Sequence, residues 1–255
     1  MKESSWKNRS QVFISTILLV VLWEVVARII DNSIYLPTIE SVLKNLWVTV
    51  TGKDFFINIY YSMYRTTVSY MIALFFALIF GILASLKPLI KNMLAPINAL
   101  ATSIPTMILV VLAIIWFDKN NAPYIVGIFI VFPLLYDSVT SAMSGVDKDI
   151  IEMSKIYKVD RGEIIKKIYI PSIKFQILGV FMSSYSLGFK VVIAGEVFGQ
   201  PKYGIGTVIQ YEKMNFNTDA IFGWIVIIAV ILFSFEGIQN LFRMKLFKWR
   251  ATSDD

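Results

Sequence analysis

The sequence predicts an all-α membrane protein with six transmembrane helices and a polar hairpin between the fourth and the fifth. The composition is the first reason: 56% of the residues are hydrophobic, 16% are charged and the mean hydropathy is +0.66, which is too apolar for an ordinary soluble domain. The second reason is the length of the uncharged segments. Residues 66–86 carry no charge, and a helix of this length spans about 31 Å, close to the hydrocarbon thickness of a bilayer. A helix also forms all of its backbone hydrogen bonds within itself, as lipid requires. The short segments of alternating apolar and polar residues that are typical of a membrane β-barrel are not seen.

The spans follow one another along a chain that we predict to be a single transmembrane domain, residues 1–255. Their predicted bounds are 12–30, 66–86, 93–117, 122–143, 176–199 and 220–242, with the hairpin at 147–174. The first span follows a basic start and is open to interpretation as a secretory signal. Glu24 and Arg28 interrupt its end and no small-residue cleavage pattern follows, so we interpret it as a true span in which these two charges neutralise each other.

The distribution of basic residues predicts the orientation. Cytoplasmic segments of multi-pass proteins are enriched in Lys and Arg. With the N-terminus inside, 16 of the 24 basic residues lie on the inner side. They are Lys2, Lys7, Arg9, Lys87, Lys91, the seven between Lys148 and Lys174, Arg243, Lys245, Lys248 and Arg250. Both termini and the hairpin are therefore predicted to be cytoplasmic.

The composition also argues against several functions. The net charge of +6 comes from basic residues that flank the spans, so anionic lipid explains it and no nucleic-acid partner is expected. The chain has no Cys and no His, which excludes disulfides and the commonest zinc sites, and we predict no metal site. It contains no G-x-x-x-x-G-K-[ST] phosphate loop, so any ATP is expected to bind to another chain.

The hairpin has helical periodicity in two pieces. Ile150, Met153 and Tyr157 recur at the spacing of one helix face. Asp160, followed by Glu163, has the spacing of a capping box, so a second helix should begin there. Pro171 is expected to mark where this helix stops or where the next span begins.

The hairpin resembles the cytoplasmic signature of bacterial ABC importer permeases, which is Glu-Ala-Ala, three residues, Gly, nine residues and Ile-x-Leu-Pro. Here Glu152, Met153 and Ser154 are followed by Lys158 at the glycine position and by Ile168-Tyr169-Ile170-Pro171. The spacing matches throughout, whereas the identities match less well. Lys158 would have to form the left-handed turn that glycine forms easily, unless the break shifts by a residue.

Four further blocks are similar to the nitrate, sulfonate and taurine branch of these permeases, and they occur in the family's order. "YLPTIESVLKNLW" begins at Tyr35 and resembles the segment that leads into the family's bundle. "IPTMILVVLAIIWF" from Ile104 resembles the Ile-Pro-bearing span. "KVVIAGEVFG" from Lys190 resembles the end of the fifth span, and "YGIGTVIQ" from Tyr203 the outer loop after it.

The resemblance implies a type I importer: two permease subunits, here expected to be a homodimer, two cytosolic ATPases that bind ATP and Mg²⁺, and an extracytoplasmic binding protein that delivers the solute. The permease itself would be a non-catalytic subunit in the bacterial inner membrane that binds no cofactor. The hairpin would be the coupling helix region that the ATPases grip. The expected coupling residues are Glu152, Met153, Ser154, Lys158, Arg161, Gly162, Ile168 and Pro171. A solvated loop or a helix lying on the membrane surface is the simpler alternative.

Charges and prolines within spans give the candidates for the translocation path, which are Lys190, Glu196 and Pro105. Lys190 either faces the path and favours anions, or snorkels or pairs with a neighbour. Glu196 is positioned to meet Arg65 at the outer side. Pro105 is expected to kink the third span.

The loop at Tyr203, Gly204 and Gly206 is the candidate surface for docking of the binding protein, although the glycines are also explained by a tight turn. The transported solute is expected to be small, anionic or vitamin-related. The alternative function is an ion-gradient-driven transporter or channel, but neither an inverted repeat nor dense embedded carboxylates support it. A membrane enzyme lacks a nucleophile and base constellation.

Overall fold

A computed structural model of the protein describes residues 3–246, and within this range the chain is helical without strands. The helices are α1 (Glu3–Ile30), α2 (Ile39–Val50), α3 (Phe55–Leu86), α4 (Pro88–Ser103), α5 (Thr106–Trp116), α6 (Ala122–Ser144), α7 (Lys148–Ile156), α8 (Arg161–Ile164), α9 (Ile170–Gly199), α10 (Ile205–Met214) and α11 (Thr218–Leu246). A π-helical turn, Ile165–Tyr169, joins α8 to α9. Lys2, Lys248 and Arg250 of the orientation argument lie outside the described residues.

Within residues 3–246, five helical segments are long and apolar enough to cross a membrane, and the bent pair α4 and α5 makes a sixth if it counts as one span. The predicted class, an all-α membrane protein, is confirmed. The second span is longer than predicted: α3 begins at Phe55 rather than at residue 66. Arg65 therefore lies inside this helix and not at its end.

The third predicted span, 93–117, is not one continuous helix. It divides into α4 and α5, whose axes are bent by 101°. The cause is local: Ile104 precedes Pro105 and is extended, with φ −72° and ψ 126°, as the proline ring requires of its preceding residue. The expected kink is thus a full break, because no helical hydrogen bond crosses the proline.

The described residues form two compact units. The first comprises residues 3–56 and 209–231. Polar contacts tie its segments together: Glu24 pairs with Arg28 at 2.7 Å, as predicted, and accepts the backbone N–H of Ile39 at the start of α2. Ser41 on α2 donates to the Asp219 carboxylate on α11 at 2.7 Å. These bonds satisfy polar groups that would otherwise be costly next to lipid.

The second unit comprises residues 57–208 and 232–246, and a core cluster in it is built by buried residues of α3, α6 and α9. Small residues on α3 allow close approach: the Cβ of any side chain at Gly81 would lie 2.7 Å from Val139 of α6. Gly127 of α6 is similarly close to Ser69 and Val192. In a membrane, helices associate through such packing rather than through the hydrophobic effect. Whether the whole chain acts as one domain stays a prediction.

Candidate functional site

The hairpin predicted at 147–174 begins with α7. Asp147 caps this helix by accepting the backbone N–H of Asp149 at 2.9 Å. Glu152 and Met153 are exposed on it. Ser154 is instead buried, with 7% of its surface exposed, and its hydroxyl donates to the carbonyl of Ile150 in its own helix. Ser154 is therefore not part of the exposed surface of α7, and its part in the coupling stays a prediction.

The apolar residues of the hairpin face outward, which the sequence did not indicate. The exposed group comprises Ile150, Met153, Ile156, Tyr157 and Val159, and Ile156 and Tyr157 are 78% and 76% exposed. A cluster of exposed apolar side chains among charges is typical of a protein docking surface. We call these five residues the apolar patch.

The turn between the two legs of the hairpin forms at Lys158, with no shift of register. Lys158 is left-handed, with φ +52°. The N–H of Val159 donates to the carbonyl of Ser154, and the N–H of Lys158 donates to that of Lys155. These two hydrogen bonds form the Schellman motif, a common way for a helix to end. Lys158 therefore occupies the conformation that glycine usually adopts, and its side chain is exposed.

The second leg begins where predicted. Asp160 is the N-cap of α8, and its side chain accepts the N–H of Gly162 at 2.8 Å. Arg161 and Gly162 are exposed at this point, whereas Ile168 is half-buried farther along.

The helix does not stop at Pro171. The π-helical turn leads directly into α9, so that residues 161–199 form one helical segment of 39 residues. The fifth span, predicted from 176, therefore includes the second leg of the hairpin. Proline has no N–H to donate, and the change of register in the π-helical turn just before Pro171 accommodates it. Ser172 donates to the carbonyl of Ala142 at 2.9 Å, which fixes this leg to the end of α6.

A buried ion pair lies near the opposite end of α9. Arg65 Nη1 lies 2.7 Å from Glu196 Oε1, and the two side chains are 6% and 0% exposed. The second carboxylate oxygen of Glu196 accepts the hydroxyl of Ser62 at 2.6 Å and the N–H of Gly206 at 3.0 Å. The predicted pairing of Arg65 and Glu196 is confirmed. Both oxygens of Glu196 are therefore engaged and shielded in this structure, and its place on the translocation path stays a prediction.

The same cluster holds the loop between α9 and α10, which was predicted to lie on the outer side. Arg65 Nη1 also donates to the carbonyl of Tyr203 at 2.7 Å, and the N–H of Gly204 donates to Asn58 at 2.9 Å. Gly204 has φ +153°, and a Cβ there would lie 2.6 Å from the Glu196 carboxylate. At Gly206 a Cβ would clash with the Ile193 carbonyl oxygen.

Both glycines are buried. The tight-turn explanation is thus supported, and of the three residues predicted for docking only Tyr203 is partly exposed.

The other path candidates are accessible. Lys190 is exposed on α9 and forms no salt bridge with any residue in the described part of the chain. Pro105 is exposed at the break between α4 and α5. Lys190 and Pro105 are therefore exposed in this structure, whereas Glu196 is buried.

Asp137 was missed by the sequence analysis. It is an exposed carboxylate within α6, a helix otherwise suited to cross a membrane, and it accepts a hydrogen bond from Asn98 of α4 at 2.9 Å. The signal was available: a single charge in the run 122–143 is costly next to lipid unless it faces protein or water.

Comparisons with known proteins agree with this architecture. Residues 73–248, more than half of the chain, match the family model of the binding-protein-dependent transport system inner membrane component. The chain is 22% identical to the "Putative aliphatic sulfonates transport permease protein SsuC" of Bacillus subtilis, over 91% of this chain and 85% of the relative. It is 26% identical to a "Putative ABC transporter permease protein" of Methanocaldococcus jannaschii, over 91% and 89%.

A third relative is the "Riboflavin transport system permease protein RibX" of Chloroflexus aurantiacus, which is 25% identical over 64% of this chain and 61% of its own length. Permeases of this family work with ATPase and binding-protein partners and are generally non-catalytic. On the family match and the multi-pass helical architecture, the chain belongs to the binding-protein-dependent inner membrane components and is a permease subunit of an ABC importer.

Proposed function

We propose that the hairpin transmits ATPase movements to the bundle through the uninterrupted helical segment 161–199. The main support for this proposal is the continuity of the segment, because the exposed tip at Arg161 and Gly162 belongs to the same helical segment as the buried Glu196. A displacement of the tip by a partner would therefore move α9 as a lever. Only a partner that fits the two arrangements differently can shift the equilibrium between them.

The surface of the hairpin supports an ATPase partner. The apolar patch supplies area that is favourable to bury against a protein, and Glu152, Lys158 and Arg161 add charges of both signs around it. Interfaces commonly combine an apolar centre with such a polar rim. A helix lying on the membrane surface is the competing role for this patch. Among the predicted residues, Ile168 and Pro171 would set the angle of the lever rather than contact the partner.

The complete transporter would contain two copies of this chain, two ATPases that bind ATP and Mg²⁺, and one extracytoplasmic binding protein. This chain would lie in the bacterial inner membrane with both termini in the cytoplasm, would bind no cofactor and would catalyse no reaction. The binding protein would meet the outer side near Lys202 and Tyr203. Lys190 would face the path, where a cation favours anions.

The solute in this proposal is small and either anionic or vitamin-related. The names of two relatives, which refer to aliphatic sulfonates and to riboflavin, support these two classes.

The experiment compares ATP-driven uptake in proteoliposomes that contain the permease, its ATPases and its binding protein. We expect Glu152→Lys and Gly162→Trp to abolish most uptake while the subunit still inserts into the membrane. Glu40→Lys is the matched control, because it makes the same charge change at an exposed glutamate of α2 that is not part of the hairpin. Wild-type uptake by both hairpin variants would refute the coupling role. Uptake that persists without ATP and follows an ion gradient would refute ATPase coupling altogether.

A further inference from the structure

The short helix α2 lies beside the start of α11 within the first compact unit. Ser41 donates to Asp219 at 2.7 Å, and about one turn farther along a Cβ at Gly223 would lie 3.7 Å from the Cα of Leu46. These contacts advance in the same direction on both helices, so α2 runs alongside the first two turns of α11. The part of α11 that is apolar enough to cross a membrane begins at Thr218. The helix α2 is therefore level with the end of a span, where lipid headgroups meet hydrocarbon.

The side of α2 that faces away from this contact carries large apolar residues. Val42 is buried and Leu46 is half-buried on the packed side. On the other side, Leu43, Trp47 and Val48 are 60%, 71% and 62% exposed. A helix that faces water usually has polar residues on its exposed side. Exposed apolar residues are typical of a helix that lies at a membrane interface, and Trp is enriched there.

The charged residues of α2 fit this position. Because α2 runs in the direction in which α11 enters the membrane, Glu40 lies at the end nearer to water, and Trp47 and Val48 lie deeper. Lys44 is exposed between these two levels and forms no salt bridge with any residue in the described part of the chain. A lysine at this depth can lay its apolar stem along lipid and direct its ammonium group to the phosphates.

A further exposed aromatic residue lies two residues before α11. Phe216 has a left-handed backbone, with φ +54°, and is 70% exposed. Glycine and asparagine adopt this conformation far more easily than an aromatic residue does, and Asn215 and Asn217 stand on either side. Little of the ring is covered by the described chain, so its packing there does not offset the strain. Burial of the ring in a lipid surface would offset it.

We propose that α2 and Phe216 form an interfacial anchor. Leu43, Trp47 and Val48 insert into the boundary between headgroups and acyl chains of the leaflet that α11 enters at its start. The ring of Phe216 inserts beside them, and the ammonium group of Lys44 binds a lipid phosphate. The partner of this surface is therefore the lipid surface rather than another protein. The anchor is independent of the ATPase coupling and of which side of the membrane is cytoplasmic.

The test measures the membrane depth of spin labels by their accessibility to oxygen, which concentrates in hydrocarbon, and to a water-soluble nickel chelate. The chain has no Cys, so Leu43→Cys, Trp47→Cys and Phe216→Cys each take one label before assembly with the ATPases in phosphatidylcholine nanodiscs. Leu19→Cys, at an exposed position within the span α1, is the hydrocarbon reference. Asn120→Cys, in the exposed loop between α5 and α6, is the water reference. We expect the three labels to have ratios of oxygen to nickel accessibility between those of the two references.

Three results would overturn the anchor. Ratios equal to that of the water reference would place α2 in water, and exclusion of both reagents would mean that a second permease subunit covers it. Saturating binding protein should leave the accessibilities unchanged, and loss of access to both reagents on its addition would make this face a docking surface for that protein.

A pair of substitutions tests the role of Trp47 itself. Trp47→Glu should raise the nickel accessibility of the label at Leu43 toward that of the water reference, because a carboxylate draws α2 out of the lipid. The matched variant Trp47→Phe should leave the label at its original depth. Trp47 is 71% exposed, so neither substitution disturbs packing within the described chain. An unchanged label depth in Trp47→Glu would contradict the insertion of this face.

Discussion

Replacing Glu196 by alanine would test whether the buried ion pair stabilises the part of the second unit where α3, α9 and the loop before α10 meet. The change leaves three donors without their acceptor: Arg65 Nη1 on one carboxylate oxygen, and the Ser62 hydroxyl and the Gly206 N–H on the other. Arg65 keeps its bond to the Tyr203 carbonyl but becomes a buried cation without a counter-ion. Removing one partner of a buried pair costs about 3–5 kcal/mol in the free energy of unfolding.

For a chain of this size, each kcal/mol lowers the melting temperature by about 2–4 °C, so we expect Glu196→Ala to melt about 6–20 °C below the wild type. Tryptophan fluorescence during heating in detergent or nanodiscs measures this. The control is Glu163→Ala, whose pair with Lys167 is exposed and should matter little. The double variant Arg65→Met with Glu196→Met should melt higher than either single methionine variant, because it leaves no unpaired charge. A melting temperature of Glu196→Ala equal to the wild type, or strictly additive losses in the double variant, would refute this reasoning.

The remaining predictions concern backbone conformation. Lys158→Gly should raise stability by about 1 kcal/mol, because glycine adopts the left-handed conformation without strain; an unchanged or lower melting temperature contradicts this. Gly206→Ala should prevent folding or strongly lower the melting temperature through its clash with Ile193, whereas Gly179→Ala, with no described atom within 4 Å of its Cβ, should not; equal behaviour of the two variants counts against the packing argument. Pro105→Ala should reduce the 101° bend, so that α4 and α5 become more nearly collinear. Distances between spin labels on α4 and α5 would show this change. An unchanged bend would mean that packing, not proline, causes it.

Local features of the hairpin were predictable from sequence. The start of the second leg at Asp160 and the left-handed turn at Lys158 depend on neighbouring residues only. The continuity through Pro171 was not predictable, because proline permits either a stop or a helix that shifts its register. The outward position of the apolar patch was missed as well. Helical periodicity shows which residues share a face, but not which face packs on the rest of the chain.

The sequence by itself determined the class of the protein, the approximate positions of its spans and the hairpin between two of them. Hydropathy, run length and capping residues act over a few neighbouring positions, so they can be read in order along the chain.

Tertiary structure alone decided that Glu196 is buried among Arg65, Ser62 and Gly206, and that Asn98 meets Asp137. These residues are distant in sequence, and their contacts depend on how closely α3, α6 and α9 pack and on how far α4 is turned by the break at Pro105. That packing is a property of several helices at once, and no single segment encodes it.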